Sequence, residues 1–168
     1  EDLNLKAPFL KALNEEGYTS PTPIQKETIP LVLKGQDLMG MAQTGTGKTA
    51  AFTLPILQKL NANQSTEKAR DPRALILAPT RELAIQINES IRKYGQYIAI
   101  KHTVVFGGVK QGSQVKSLAR GMDVIVATPG RLLDLINQGV CSLNKIQFLV
   151  LVNTITVSNT LSFNNVIN

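Results

Sequence analysis

The chain has 168 residues, of which 43% are hydrophobic and 18% charged, with a single cysteine and a net charge of +6. That size suits one domain able to bury roughly two-thirds of its unfolded surface, and the composition excludes a disordered or low-complexity chain. The acidic start has no signal-peptide character and no apolar run approaches the about 20 residues of a membrane span, so a membrane partner is not expected; lone Cys141 cannot form an internal disulfide and fits a reducing cytoplasmic or nuclear setting.

The first informative run is Gly17-Tyr18-Thr19-Ser20-Pro21-Thr22-Pro23-Ile24-Gln25. Thr22 followed by Pro23 predicts a helix start, with the hydroxyl as cap and proline in the first turn. Gln25 then lies in that first turn. A glutamine on a helix is ordinarily a solvated residue, but its amide can pair bidentately with adenine N6 and N7. Its place shortly ahead of the next motif makes it a candidate base reader.

That motif is Ala42-Gln43-Thr44-Gly45-Thr46-Gly47-Lys48-Thr49, which follows the predicted strand Leu38–Ala42 and opens a helix-like stretch, Ala50–Leu54. A strand feeding a glycine-rich turn into a helix is a phosphate cradle. The glycines let N–H groups turn toward oxyanions, and the helix N-terminus adds positive potential. Lys48 can reach the outer phosphates, and the Thr49 hydroxyl can ligate Mg2+. The common pattern opens on Gly where this chain has Ala42. The polar segment Asn61–Pro72 reads as a surface loop.

Four further strands are predicted at Ala74–Ala78, His102–Phe106, Asp123–Ala127 and Gln147–Leu151. All are continuous apolar runs, as expected of parallel strands covered on both faces. Helices are predicted at Arg81–Tyr94, with Leu83, Ala84, Ile87, Ile91 and Tyr94 on one face, at Gln111–Arg120 and at Pro129–Gln138. The alternation argues a doubly wound α/β sheet with ligands at the carboxyl ends of its strands. Three of those ends carry Pro79-Thr80-Arg81, Gly107-Gly108 and Thr128-Pro129-Gly130-Arg131. Thr80 and Thr128 read as caps, so each helix start offers N–H groups or a cation along one edge. Residues 91–145 hold eight basic and two acidic side chains, whereas residues 1–90 hold ten of each. A sugar-phosphate chain suits that edge, through backbone contacts rather than base stacking. Taken singly, each is also an ordinary strand-to-helix turn. His102 reads as a packed or edge histidine, with no second His for a metal site.

These elements resemble, in order, the motifs of the first RecA-like lobe of a DEAD-box ATP-dependent RNA helicase. Gly17–Gln25 resembles the Q motif, Ala42–Thr49 motif I, Pro79–Ala84 motif Ia, Gly107-Gly108 the GG element and Thr128–Arg131 motif Ib. The resemblance covers residues 1 to about 151. It implies an α/β, RecA-like P-loop domain, with a mostly parallel sheet and helices on both faces. It implies ATP and Mg2+ as cofactors, with Tyr18 near the base, Gln25 reading adenine, and Thr44, Gly45, Thr46, Gly47, Lys48 and Thr49 holding phosphate and metal. Lys48 and Thr49 are the implied catalytic pair, Thr49 the metal ligand, and Ala42 and Gln43 complete the loop. RNA backbone is the implied partner of Pro79, Thr80, Arg81, Gly107, Gly108, Thr128, Pro129, Gly130 and Arg131. A C-terminal RecA-like lobe is the other implied partner. The family also places an aromatic residue 17 positions before the Q-motif glycine, which here falls just ahead of Glu1 and suggests N-terminal truncation.

The resemblance stops at Leu151. Where the family carries Asp-Glu-Ala-Asp this chain reads Val152-Asn153-Thr154-Ile155, and residues 146–168 carry no charge. The expected organisation is therefore a first lobe over 1–151, an atypical tail over 152–168 and an absent second lobe. This chain alone is expected to lack hydrolysis, since valine offers no lone pair to a metal and asparagine is a poor base. A non-catalytic nucleotide- or RNA-binding module is the alternative. A small GTPase or nucleotide kinase is the other rival, on Asn144-Lys145-Ile146-Gln147, where Gln147 stands in place of the aspartate that reads guanine.

Overall fold

The central predicted strands are rich in apolar residues because each feeds two cores at once. In the computed structural model, which describes residues 3–40, 45–64, 66, 71–152 and 155–158, six strands form one sheet. They are β1 (Leu38–Gly40), β2 (Ala74–Leu77), β3 (His102–Val105), β4 (Val124–Ala127), β5 (Phe148–Leu151) and β6 (Ile155–Ser158), in the order β1-β6-β5-β2-β4-β3. The helices are α1 (Ala7–Glu15), α2 (Pro23–Leu33), α3 (Lys48–Ala62), α4 (Arg81–Tyr94), α5 (Gly112–Ala119) and α6 (Pro129–Asn137).

Side chains alternate across the sheet. Ala74, Ile76, Val124, Val126, Phe148 and Val150 enter one core with Phe9, Ile29, Phe52 and Ile87 from α1 to α4. Leu75, Ile125, Ala127 and Leu149 enter the other with Leu132 and Leu135 of α6, and Val115 and Leu118 of α5 pack against it. Helix α3 is buried from Ala50 through Gln58, so it has almost no polar face and forms the centre of the first layer. It runs on through Asn61 and Ala62, which corrects the reading of a loop from Asn61; a long apolar helix holds its polar last turn in register. Residues 65 and 67–70 of that predicted loop lie outside the described residues.

Strands β5, β2, β4 and β3 pair in parallel, so their carboxyl ends share one edge. Strand β6 pairs antiparallel to both β1 and β5. Two reversals leave β1 pointing with β5, so its carboxyl end lies at the same edge. The uncharged tail thus supplies a strand, which its Asn- and Thr-rich composition did not announce. Strand β1 ends at Gly40; the predicted remainder, residues 41 and 42, lies outside the described residues.

The opposite edge is locked by charge. Arg73 and Asp123, both buried, pair at 2.9 Å. The second Asp123 oxygen accepts the Lys101 N–H at 2.9 Å, and Arg73 donates to the carbonyls of Leu60 and Asn63. The ends of α3, β2, β3 and β4 are joined there by these bonds, with Arg73 Nε alone of the guanidinium nitrogens buried without a partner.

Candidate functional site

Helix α3 begins at the carboxyl edge with Gly47 as N-cap at φ 81°, and Gly45 shares that left-handed conformation at φ 81°. Both positions favour glycine on steric grounds. The first turn of α3 contains Lys48 and Thr49, and its early N–H groups have no partners within the helix. With the helix dipole they form an anion-binding end. Lys48 and Thr49 line a cleft of about 680 Å3 together with Tyr18, Thr22, Gln25, Gly45 and Gly47. Thr46 lies in the same turn. Ala42, Gln43 and Thr44 lie outside the described residues.

Gln25 joins this loop to α2. Its Oε1 accepts the Thr22 N–H at 3.1 Å, and its Nε2 donates to the Gly47 carbonyl at 3.2 Å. Gln25 is only 4% exposed, and a Cβ built on Gly47 would stand 2.4 Å from its Nε2. The glutamine therefore lines the cleft with both ends of its amide in use. Thr22 and Gln25 form a capping box at the start of α2: the Thr22 side chain faces the Gln25 backbone N–H, outside strict hydrogen-bond geometry, and the Gln25 side chain accepts the Thr22 N–H. The long amide reaches the N-cap N–H and the loop carbonyl together, which a short hydroxyl cannot.

Tyr18 follows Gly17, whose φ of 79° turns the chain into the cleft. Its hydroxyl meets that of Tyr94 at 2.7 Å, and the two rings stand edge to face at 6.0 Å between centroids. Burial raises the Tyr94 phenol well above its usual pKa, and the Tyr18 hydrogen bond adds to this. Tyr94 also lines the cleft with Gln86 and Ser90 of α4. Across from them stands Val152, half-buried, its N–H donating to the Leu77 carbonyl at 2.9 Å. None of the described residues lining the cleft carries a carboxylate.

The other predicted residues fall on the neighbouring strand ends, in the order β2, β4, β3. Pro79 and Thr80 follow β2, and the Thr80 hydroxyl accepts the Leu83 N–H at 3.3 Å, as a cap. Thr128 follows β4, with Pro129, Gly130 and Arg131 in the first turn of α6. Here the predicted cap does not form: the Thr128 side chain makes no capping bond, and the proline alone pre-sets the helix start. Gly107 and Gly108 follow β3, Gly108 at φ 80°.

Two arginines flank that glycine turn. The Arg81 guanidinium lies 4.8 Å from the Phe106 ring centre, and Arg131 donates to the Val109 carbonyl at 3.0 Å. Buried Gln114 ties them together, donating to the Phe106 carbonyl at 3.0 Å and facing Arg131 at 3.5 Å. The sequence reading missed Gln114. Its signal was a glutamine one turn ahead of Leu118, on the inward face of α5.

Other candidates stay away from both regions. Asn144 and Lys145 precede β5 and so lie at the opposite sheet edge from α3's start, which removes the support for a guanine-reading motif. His102, at the start of edge strand β3, bonds Asn88 at 2.8 Å, and burial lowers its pKa. Cys141 is buried and its thiol is pushed up to about 11, chiefly by burial, which suits packing rather than nucleophilic chemistry. Among the described residues no helix is long and apolar enough to cross a membrane, and no group of three or more His, Cys, Asp and Glu could hold a metal.

Comparison with known proteins agrees with this geometry. The DEAD/DEAH box helicase family model matches residues 22–152. The chain is 46% identical over 151 residues to the ATP-dependent RNA helicase DeaD of Escherichia coli, covering 89% of this chain and 23% of that protein. It is 43% identical to DEAD-box ATP-dependent RNA helicase 30 of Arabidopsis thaliana, covering 90% of this chain and 26% of that protein. The crystal structure of a DEAD box protein from Methanococcus jannaschii superposes with a TM-score of 0.79 at 36% identity, over 88% of this chain and 39% of that one. The chain thus spans a minor part of each relative it matches. Its mostly parallel sheet, with helices on both faces and a glycine-rich turn opening α3, is the expected RecA-like α/β fold. The chain belongs to the DEAD/DEAH box helicase family.

Proposed function

We propose that the chain is the nucleotide-binding first lobe of an ATP-dependent RNA helicase, gripping ATP in the cleft and RNA backbone along the adjoining strand ends. The observation that carries the reading is the convergence of Gly47, Lys48, Thr49, Gln25 and Tyr18 on one cleft. That cleft opens at the edge that also presents Arg81 and Arg131.

The described residues suit a triphosphate. N–H groups at the start of α3 and the Lys48 ammonium would hold its oxyanions, each charge-assisted bond contributing about 1.5–3 kcal/mol. Tyr18 would bound the base, and Gln25 would read adenine once its amide exchanges the Gly47 carbonyl for the ligand. The Thr49 hydroxyl would hold Mg2+, which supplies charge neutralisation at the phosphates. Along the second region Pro79, Thr80, Arg81, Gly107, Gly108, Thr128, Pro129, Gly130 and Arg131 would meet sugar and phosphate, with little sequence preference. A C-terminal RecA-like lobe would supply the other wall of both sites. Closure on it would bend one RNA strand, which a duplex does not tolerate. A cytoplasmic or nuclear location suits both ligands.

Hydrolysis needs a second contribution. By the family resemblance Val152 takes the position of a metal-holding carboxylate; it lines the cleft and would provide neither charge nor lone pair there. We therefore assign binding, not turnover, to the chain by itself. A purely non-catalytic origin is the weaker reading, since the named relatives are ATP-dependent RNA helicases. Phosphate release with RNA and Mg2+ is expected to equal that of a Lys48→Ala variant. Turnover well above that control would overturn the assignment.

A further inference from the structure

Residues 15–18 and 93–97 are clasped at three points. Lys93 pairs with Glu16 at 2.7 Å, the Tyr97 hydroxyl donates to Glu15 at 2.5 Å, and the Tyr94 and Tyr18 hydroxyls meet at 2.7 Å. The first two contacts lie on the exposed surface, where such pairs contribute little. The third differs in kind. Tyr94 is 6% exposed, the last residue of α4, and its ring stands edge to face with that of Tyr18 where both line the cleft. Tyr18 is 39% exposed. It is held by its N–H to the Leu13 carbonyl at 3.0 Å, but its side chain depends on Tyr94 for a hydroxyl partner.

We propose that Tyr94 is a positioning residue for the nucleotide base: its hydroxyl and ring hold Tyr18 in the orientation that forms the base-facing wall of the cleft. The inference rests on the reading of the cleft as an ATP site. A phenol in this place does what a purely apolar residue cannot, because it fixes the rotation of Tyr18 as well as its depth. An aromatic wall fixed before the ligand arrives removes the ordering cost of the ring from binding. The phosphate-holding end of the site is built separately, by the turn at Gly47 and the start of α3, so its affinity is expected to be independent of this pair.

The test is Tyr94→Phe, which keeps the ring and removes one oxygen, titrated calorimetrically with Mg-ATP and separately with inorganic tripolyphosphate. Loss of one neutral hydrogen bond predicts a drop in ATP affinity of about two- to tenfold with tripolyphosphate affinity unchanged. Tyr18→Phe, which removes the other oxygen, is expected to give the same loss. The double variant is expected to be no weaker than either, because the two hydroxyls act as one bond. Tyr18→Phe also serves as the test should Tyr94→Phe fail to fold. Unchanged ATP affinity in the single variants, or an equal loss for both ligands, overturns the role of Tyr94. A wild-type chain that binds tripolyphosphate and ATP equally leaves no base contact to position and overturns it too. Absence of any ATP binding by the wild-type chain instead defeats the reading of the cleft itself.

Discussion

Gly47 bears three demands at once. It caps α3 in the left-handed region, its carbonyl accepts from Gln25, and its missing side chain leaves room for that amide. Alanine there would meet Gln25 Nε2 at 2.4 Å and carry backbone strain of about 1–2 kcal/mol. Gly47→Ala is therefore expected to lower thermal stability by several degrees and to abolish detectable ATP binding, read by melting curves and titration on the same sample. Retention of wild-type ATP affinity would show that the Gln25–Gly47 contact is not part of the site. Gly45 makes a useful contrast, because a Cβ there meets nothing within 4 Å and only its φ of 81° resists substitution.

At the scale of elements, the strand ends of β2, β4 and β3 act as one surface because parallel pairing puts them side by side. Arg131 belongs to it through the Val109 carbonyl and Gln114, which hold its guanidinium beside the glycine turn. If it contacts an RNA phosphate, Arg131→Ala should weaken single-stranded RNA binding about equally for all sequences and flatten the slope of log affinity against log salt by about 0.7. A loss confined to one sequence, or an unchanged slope, would show that Arg131 reads bases or does not touch RNA. The elements themselves were largely legible in the sequence. The span Arg81–Tyr94 was predicted as found, since its apolar face and flanking Thr80 and Gly95 mark both ends. Helix α1 and strand β6 were not foreseen. The first follows no strand and starts without a side-chain cap, and the second runs antiparallel in an otherwise parallel sheet by pairing with partners distant in sequence.

For the whole molecule, sequence order conveyed the site better than its contacts. The glycine-rich turn and the three strand-end motifs declare themselves by residue type, and the doubly wound sheet brings their described parts to one edge. What sequence order cannot convey is which polar groups spend themselves on each other. Gln25 on Gly47 and Tyr94 on Tyr18 join segments 22 and 76 residues apart, and Gln114 on Phe106 closes back over eight residues. Val152 belongs to this scale too, because it brings an apolar side chain from the end of β5 to the cleft that α2, α3 and α4 line. The account stands on that grip. Titration calorimetry with Mg-ATP should give a saturable heat, and Lys48→Ala should weaken it about tenfold or more, as loss of a charge-assisted phosphate contact requires. No heat at millimolar ATP from folded protein, or equal affinity in the Lys48→Ala variant, would contradict it.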